Sequence, residues 1–292
     1  MNVGVLFALL APLGWSGATI IDKFILANKV KHTLAYTEVT GLVGLVIATI
    51  VALFLDWSTV TITDLRFPAL AGVLMGLFVY AYLYVLSKED ASDVTGYNYL
   101  YPVIAVMLAF LVLGEVLPFI GYVGVVLTTS GVLLLTTRRI GDLRREVILG
   151  ICASILILGC WSFIGRLAVI SISEWHTAAV CGAVESLTLL GILTVPSVRA
   201  SFTKELRNAR LALMSETFNF SGFVLFFFAV NRLPVGIATS LSAIMPLYVL
   251  FAERIVDARG GHIVKQHLFS HKILPLSLIT AGVMILAYLG IS

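Results

Sequence analysis

Charged residues are scarce in this sequence. Asp, Glu, Lys and Arg make up 12% of its 292 residues, against about 25% in an average soluble domain. Hydrophobic residues make up 60% of the chain, and its mean hydropathy is +1.04. This composition excludes an ordinary soluble domain, and the length leaves room for about ten apolar spans with short connections. The sequence therefore predicts a multi-pass protein embedded in a lipid bilayer.

Cysteine is also rare, and Cys152, Cys160 and Cys181 all lie in apolar runs. Their odd number and their spacing indicate neither a disulfide framework nor a metal site. The net charge of +3 does not indicate a nucleic-acid partner, because the basic residues lie mostly between apolar runs. No Gly-rich phosphate loop follows a strand, and no Ser/His/Asp set has catalytic spacing. We therefore expect no cofactor, no metal, no nucleic acid and no enzymatic activity.

Ten hydrophobic stretches can be drawn as membrane-spanning helices. They cover residues 3–26, 34–55, 68–87, 94–113, 119–137, 147–170, 177–195, 211–230, 235–252 and 272–290. The connections 88–93, 114–118 and 231–234 are very short, which predicts tight antiparallel neighbours. The one long polar connection is 253–271. The first stretch lacks the basic region and cleavage site of a signal peptide, so we interpret it as a true span.

The two halves of the sequence resemble each other. Residues of the first half recur in the second at near-constant offsets of 144 to 147 positions: Trp15 as Trp161, Ser16 as Ser162, Glu38 as Glu185, Thr95 as Thr239 and Pro102 as Pro246. Five spans is an odd number, so the second half must enter the membrane from the opposite side. Inverted repeats of this kind are typical of transporters, whose sites lie near the midplane between the halves. We expect repeats at 1–140 and 147–292.

Lys and Arg are unevenly distributed between the two sides of the predicted membrane. Sixteen lie after the odd-numbered spans, whereas Arg66 and Arg232 lie on the opposite side and Arg166 lies within a span. The positive-inside rule places the sixteen in the cytoplasm, which puts both termini outside. The expected location is the plasma (cytoplasmic) membrane.

Four motifs carry a resemblance to a known family. They are GWS at 14–16, GCWS at 159–162, YPVIAVMLAFLVLGE at 101–115 and NRLPVGIATSLSAIMP at 231–246. In this order and spacing they resemble the drug/metabolite transporter superfamily and its EamA-type ten-helix carriers, over essentially the whole chain. The resemblance implies an all-α membrane protein of ten transmembrane helices in two inverted five-helix repeats. It also implies a carrier of small metabolites, such as amino acids, nucleosides, nucleotide sugars or amines.

Three features depart from the family pattern. The second repeat has residues 252–254, Ala-Glu-Arg, and a long polar connection where the first closes with Gly-Glu at 114–115. Many relatives carry Arg on spans 2 and 7, where this chain has Glu38 and Glu185. Relatives commonly keep both termini in the cytoplasm, whereas the distribution of basic residues here places them outside.

Charged side chains at membrane depth are costly and are candidate functional groups. We expect Glu185 and its repeat equivalent Glu38 to face a cavity, where they bind a cationic group or cycle protons. Alternatively, they pair with Arg166 in helix packing. Arg166 is itself a candidate clamp for a carboxylate or phosphate, or a snorkelling residue. Glu216 and Asn219 share a face near the cytoplasmic end of span 8 and are also candidates.

Polar and aromatic residues near the span centres complete the predicted cavity wall, although ordinary packing is the alternative for each tyrosine. Trp15 and Trp161 lie too deep for the aromatic belt. The other candidates are Tyr80, Tyr84, Tyr97, Asn98 and Tyr101. Rings of this kind can hold an amine by cation–π contact. Pro102 and Pro246 predict bends in spans 4 and 9, with carbonyl groups freed toward the cavity.

These patterns predict a secondary transporter that works by alternating access. Two central acids and few central bases favour an amino acid or another amine-bearing metabolite as the cargo. Its transport could be coupled to protons or to exchange against a counter-substrate, and the sequence does not distinguish these. One alternative is a carrier of anionic or nucleotide-sugar cargo that uses Arg166. Another is an integral-membrane enzyme acting on lipid through His262, His267 and His271, and a third is a membrane scaffold. The sequence does not indicate an oligomeric state.

Overall fold

The computed structural model describes residues 3–135, 143–258 and 273–291, and within these ranges there is no strand. Eight of the described segments are long and apolar enough to cross a membrane, and two shorter apolar helices cover Phe119–Leu135 and Leu274–Gly290. Together they coincide with the ten predicted spans, with ends that differ by a few residues. The predicted fold class is confirmed. The three loop histidines of the enzyme hypothesis lie outside the described residues.

The helices are numbered along the chain. They are α1 Val3–Asn28, α2 Thr33–Leu53, α3 Arg66–Leu86, α4 Ala91–Asn98, α5 Tyr101–Leu108, α6 Phe119–Leu135, α7 Arg145–Ser171, α8 Glu174–Leu190, α9 Pro196–Glu205, α10 Ala209–Arg232, α11 Val235–Ser242, α12 Met245–Ala258 and α13 Ile273–Ile291. Spans 4 and 9 are each built from two helices, α4 with α5 and α11 with α12. The other eight spans are single helices.

The two broken spans are interrupted at equivalent places. The chain leaves helical geometry at Tyr99 in span 4 and at Ala243 in span 9, which are 144 positions apart, like the two prolines. Pro102 and Pro246 are the second residues of α5 and α12. A proline has no N–H to donate and clashes with the preceding turn, so it starts a new helix instead of continuing one. The predicted bends are present.

The helices of the two halves interleave in a symmetric way. Helix α1 packs on α10, and its equivalent α7 packs on α3. Likewise α3 packs on α8 while α10 packs on α2, and α5 packs on α7 while α12 packs on α1. Helices α2 and α8 face each other, as do α6 and α13. Exchanging the two halves therefore maps each of these pairings onto another observed pairing, as expected for two related repeats.

Glycines allow the closest helix pairs to approach. A Cβ atom at Gly14 would lie 2.7 Å from the carbonyl oxygen of Phe218 in α10, and one at Gly282 would lie 2.7 Å from the carbonyl oxygen of Gly124. Small residues have this role in membrane helix packing, where backbone contact replaces the hydrophobic effect.

Two features were not predicted from the sequence. The connection between spans 7 and 8 contains α9, a short helix that packs on α2. Lys23, one of the sixteen basic residues counted after the odd-numbered spans, lies within α1 and is 9% exposed. Its ammonium group donates to the carbonyl oxygens of Leu86 at 3.0 Å and Glu89 at 2.6 Å. The polar end of α1 is therefore buried against the turn between α3 and α4.

Candidate functional site

A cavity of about 80 Å³ lies between the two halves. Its walls come from α1, α3, the two broken spans, α7 and α10. The break in span 4 brings Tyr99 to the wall, and the second half of span 9 brings Met245. The Tyr99 hydroxyl donates to the Met245 sulfur at 3.0 Å. The two broken spans thus meet at the cavity, where transporter sites are commonly built.

Aromatic side chains form much of the cavity wall. Trp15 and Trp161, the repeat-related pair, meet edge to face with ring centroids 6.2 Å apart. Phe226 supports both rings from α10, at 5.5 Å from Trp15 and 4.9 Å from Trp161. The other aromatic residues of the wall are Phe78, Tyr82, Tyr99 and Tyr101. Such a wall favours a partly apolar ligand and can hold a cation against ring faces.

Two carboxylates line the cavity. Asp22, 7% exposed, accepts a hydrogen bond of 2.8 Å from the hydroxyl of Tyr36. Glu216 accepts one of 3.3 Å from the amide of Asn219. None of the residues that line this space in the described parts of the chain is Lys, Arg or His. The electrostatic potential of the wall is therefore suited to a cationic group.

Three buried polar atoms of the wall have no hydrogen-bond partner among the described residues. They are the indole Nε1 atoms of Trp15 and Trp161, which are donors, and the amide Oδ1 of Asn98, an acceptor. Leaving a buried polar group unpaired costs about 1–3 kcal/mol. A ligand or water that offers both an acceptor and a donor would remove this cost.

The structure brings half of the predicted site residues together. Those in the cavity wall are Trp15, Asn98, Tyr101, Trp161, Glu216 and Asn219. Tyr97 is buried at 1% exposure and does not line the cavity. Tyr84 lies at an exposed end of α3, where its hydroxyl donates to Glu146 at 3.0 Å. The positions of Tyr84 and Tyr97 do not match the predicted wall, because their side chains leave the helices in other directions.

Arg166 lies away from the cavity. Its guanidinium donates to the carbonyl oxygens of Val230 at 2.6 Å and Asn231 at 3.1 Å. The carboxylate beside it is that of Glu115, at 3.8 Å. The alternative in which Arg166 neutralises Glu38 or Glu185 is therefore wrong.

Glu38 and Glu185 lie behind the cavity wall, at the packing of α2 against α8. The Tyr80 hydroxyl bonds Glu38 Oε1 at 3.1 Å and also the carbonyl oxygen of Leu189. Glu185 lines a second, smaller space of about 10 Å³. Glu216 lines both spaces and so connects this second space to the cavity.

Several wall residues were not predicted from the sequence. They are Asp22, Thr19, Tyr82, Thr95 and Tyr99, with their apolar neighbours. For Asp22 a signal was available, since Trp15, Thr19 and Asp22 are separated by four and three positions and so share a helix face.

The comparisons with known proteins agree with this architecture. Residues 2–137 match the model of the EamA-like transporter family. No curated protein matches the chain. Among the solved structures that match, one titled only "Crystal structure of protein" has 19% sequence identity and a TM-score of 0.67. The match covers 98% of this chain and 97% of the other. At that identity the likeness shows the fold, and the family match confirms the resemblance drawn from the sequence motifs.

Proposed function

We propose that this chain, whose residues 2–137 match the model of the EamA-like transporter family, is a membrane transporter that carries a small amine-bearing metabolite. An amino acid is included if its carboxylate is held by neutral donors such as the indole N–H of Trp15. The observation that carries the proposal is the cavity wall, which combines aromatic rings with Asp22 and Glu216 and has no basic lining residue in the described chain. Cation–π contact and a carboxylate together provide a favourable site for an alkylammonium group.

We further propose that cargo moves by alternating access, with residues 1–140 and 147–292 as the two inverted repeats. Support comes from the symmetric helix pairings and from the equivalent breaks in spans 4 and 9. In such transporters the repeats rock around a central site. Access would then alternate between the membrane face near the end of α3 and the face near the end of α10.

The competing candidate, an anionic cargo held by Arg166, has less support. The Arg166 guanidinium bonds two backbone carbonyls and faces Glu115, outside the cavity wall. A carboxylate or phosphate inside the cavity would meet Asp22 and Glu216 without a basic counter-charge among the lining residues described.

Transport by the purified protein in proteoliposomes tests the proposal. A set of radiolabelled amines, amino acids, carboxylates and sugar phosphates would be offered to the wild type, to Glu216→Gln and to Glu146→Gln. Glu146 is an exposed acid outside the cavity and so provides a matched control. A charged hydrogen bond contributes about 1.5–3 kcal/mol, so Glu216→Gln should weaken amine uptake about tenfold or more. The control should transport like the wild type.

Uptake of carboxylates or phosphates without uptake of amines would overturn the cargo assignment. Uptake of amines that is equal in Glu216→Gln and the wild type would show that the cavity acid does not bind the cargo.

A further inference from the structure

A second space lies beside the cavity, between α2, α8 and α10. Its lining includes the carboxylates of Glu185 and Glu216, the amide of Asn219 and the hydroxyl of Ser186. None of its lining residues in the described chain is Lys, Arg or His. We propose that Glu185 and Glu216 share one small monovalent cation here, a proton or a sodium ion, at a site that adjoins the cargo cavity through Glu216.

The state of Glu185 is the main evidence for this cation site. The residue is 5% exposed, it lines the space, and among the described residues no side chain or backbone group forms a hydrogen bond or ion pair with it. Its repeat equivalent Glu38 has the Tyr80 hydroxyl as a donor. A buried carboxylate in a membrane requires a partner, and a bound cation would supply one.

The surrounding charges also favour a cation. Glu185 and Glu216 interact electrostatically, and Asp22 acts on Glu216 from α1. Cys181, on the same helix, interacts electrostatically with Glu185, and Tyr36 of α2 interacts with Glu216. Every one of these groups is neutral or negative. Two carboxylates at this depth repel each other when both are ionised, so a single proton or sodium ion between them lowers the energy.

The shared position of Glu216 gives the cation site a role. Glu216 lines both the cavity and the side space, so an ammonium group bound at Glu216 would compete with the cation for the same carboxylate. Competition of this kind makes the two binding equilibria antagonistic, and by linkage the effect is reciprocal. This role in exchange rests on the proposed function, whereas occupancy of the site by a cation does not.

Two cargo-free measurements on the purified full-length protein test the occupancy. In the first, the melting temperature is compared in sodium chloride and in choline chloride at equal ionic strength. In the second, infrared spectra at neutral pH are examined for the carbonyl stretch of a protonated carboxyl group. Each measurement is made on the wild type, Glu185→Gln, Glu216→Gln and the control Glu146→Gln.

If the site binds sodium, sodium should raise the melting temperature of the wild type and of the control Glu146→Gln, but not that of Glu185→Gln or Glu216→Gln. If the site binds a proton, the infrared band of a protonated carboxyl group should be present in the wild type and the control and should be lost in Glu185→Gln and Glu216→Gln. Absence of both effects in the wild type would overturn the proposal. A sodium-dependent melting shift or a carboxyl band that persists in Glu216→Gln would also overturn the proposal. This second variant keeps the test decisive even if Glu185→Gln fails to fold. Because no cargo is used, these results are independent of whether the transport proposal fails.

A second and independent inference comes from Lys23 and Arg166, which make equivalent contacts at opposite ends of the molecule. Lys23 in α1 donates to the carbonyl oxygen of Leu86 at the end of α3. Arg166 in α7 donates to the carbonyl oxygen of Val230 near the end of α10. Leu86 and Val230 are 144 positions apart, the offset that relates these spans. The two acceptor positions are therefore repeat-related, whereas the donors Lys23 and Arg166 are 143 positions apart instead of the 146 that relate α1 to α7.

Each basic residue also meets acids that come from neighbouring spans. The carboxylates of Asp90, Glu253 and Glu89 act on the Lys23 ammonium. Glu115 faces Arg166 at 3.8 Å, and its other oxygen accepts from the backbone N–H of Val235 at 3.0 Å. Each cluster therefore links three neighbouring spans at one membrane face.

From this geometry we infer that the two clusters are latches, each of which holds the molecule closed at its own face. This role depends on the alternating access proposed above. If the latches act in this way, weakening one should favour opening of the cavity on that face. Because the two clusters lie at opposite ends of the bundle, the two variants should have opposite effects.

Cysteine accessibility tests the latches. The cavity residue Thr19 is replaced by Cys in a background without Cys152, Cys160 and Cys181, and a membrane-impermeant thiol reagent is applied from either side. Lys23→Gln should increase labelling from the face at the end of α3, and Arg166→Gln should increase it from the opposite face. Arg66→Gln removes an exposed charge at the start of α3, outside both clusters, and should change the labelling from neither face. Unchanged labelling in both latch variants, or an increase from the same face in both, would overturn this inference.

Discussion

At the residue scale, the cavity combines features shared by the two halves with features unique to one. Trp15 and Trp161 are repeat-related and meet at the centre of the wall. Asp22 and Glu216 have no acidic equivalents, because the matching positions hold Ala168 and Gly72. The paired tryptophans therefore follow from the repeat, whereas the acids distinguish the two halves and give the cavity its charge.

This difference explains which site residues were predictable. The tryptophans were found because repetition marks them, and Glu216 because an acid in an apolar run is unusual. The sequence does not specify in which direction a tyrosine points once its helix is packed. Tyr84 and Tyr99 are both tyrosines near span ends, yet one bonds the exposed Glu146 and the other the cavity residue Met245.

Replacing Trp15 by Phe should weaken amine binding about 2- to 10-fold. The substitution keeps a ring against Phe226 but removes the indole N–H that has no partner among the described residues, and one neutral hydrogen bond contributes about 0.5–1.5 kcal/mol. Titration calorimetry on the purified protein measures the change. Trp57→Phe, at a span end where its N–H bonds the carbonyl oxygen of Ala52, is the control and should bind like the wild type. Equal affinities in the two variants would contradict a cargo contact at Trp15.

At the element scale, the spans and their breaks were predictable because each has a strong local cause. Apolar length marks a span, and proline marks a break. The short helix α9 was not predicted, because its polar sequence resembles that of a loop and its stability depends on packing against α2. The buried position of Lys23 was not predicted for a related reason. The Lys23 ammonium bonds backbone carbonyl oxygens at the end of α3. Contacts between two different spans cannot be predicted when each span is identified from its own sequence.

Glycine at position 282 should be essential to the pairing of α6 with α13. A methyl group there would lie 2.7 Å from the carbonyl oxygen of Gly124 and 2.8 Å from the backbone nitrogen of Thr128, neither of which can move without shifting a helix. Overpacking of this kind costs about 1–3 kcal/mol, so Gly282→Ala should lower the melting temperature in detergent. Gly191→Ala is the control, since nothing lies within 4 Å of its added methyl group. A melting temperature for Gly282→Ala equal to that of the control would show that these helices are less closely packed.

At the scale of the whole molecule, the site depends on interleaving that no single span determines. The cavity takes wall residues from both halves, and pairings such as α1 with α10 join segments almost 200 positions apart. The repeat offsets predicted that equivalent spans would occupy equivalent places. They did not predict which faces of those spans would enclose the cavity, because that depends on helix rotation set by packing.

Orientation in the membrane is a prediction of the charge distribution and can be tested directly. In a background without native cysteines, a Cys at Ser58 should react with a membrane-impermeant thiol reagent in intact cells. A Cys at Thr203 should react only after the cells are permeabilised. Both positions are exposed and lie in connections on opposite predicted sides, and Thr203 lies among basic residues that the positive-inside rule keeps in the cytoplasm. The reverse pattern would place the termini in the cytoplasm.

The most direct test of the central claim, that the cavity binds an amine through its carboxylates, is a matched-ligand thermal shift. The purified protein would be melted with an aryl-alkyl amine and with the carboxylic acid of the same shape, in the wild type and in Glu216→Gln. A ligand that binds the folded state raises the melting temperature, with about 2.7 kcal/mol of stabilisation at a hundred times its dissociation constant. We expect the amine alone to stabilise the wild type and the effect to be lost in the variant. Stabilisation by the acid alone, or by both ligands equally, would contradict the account.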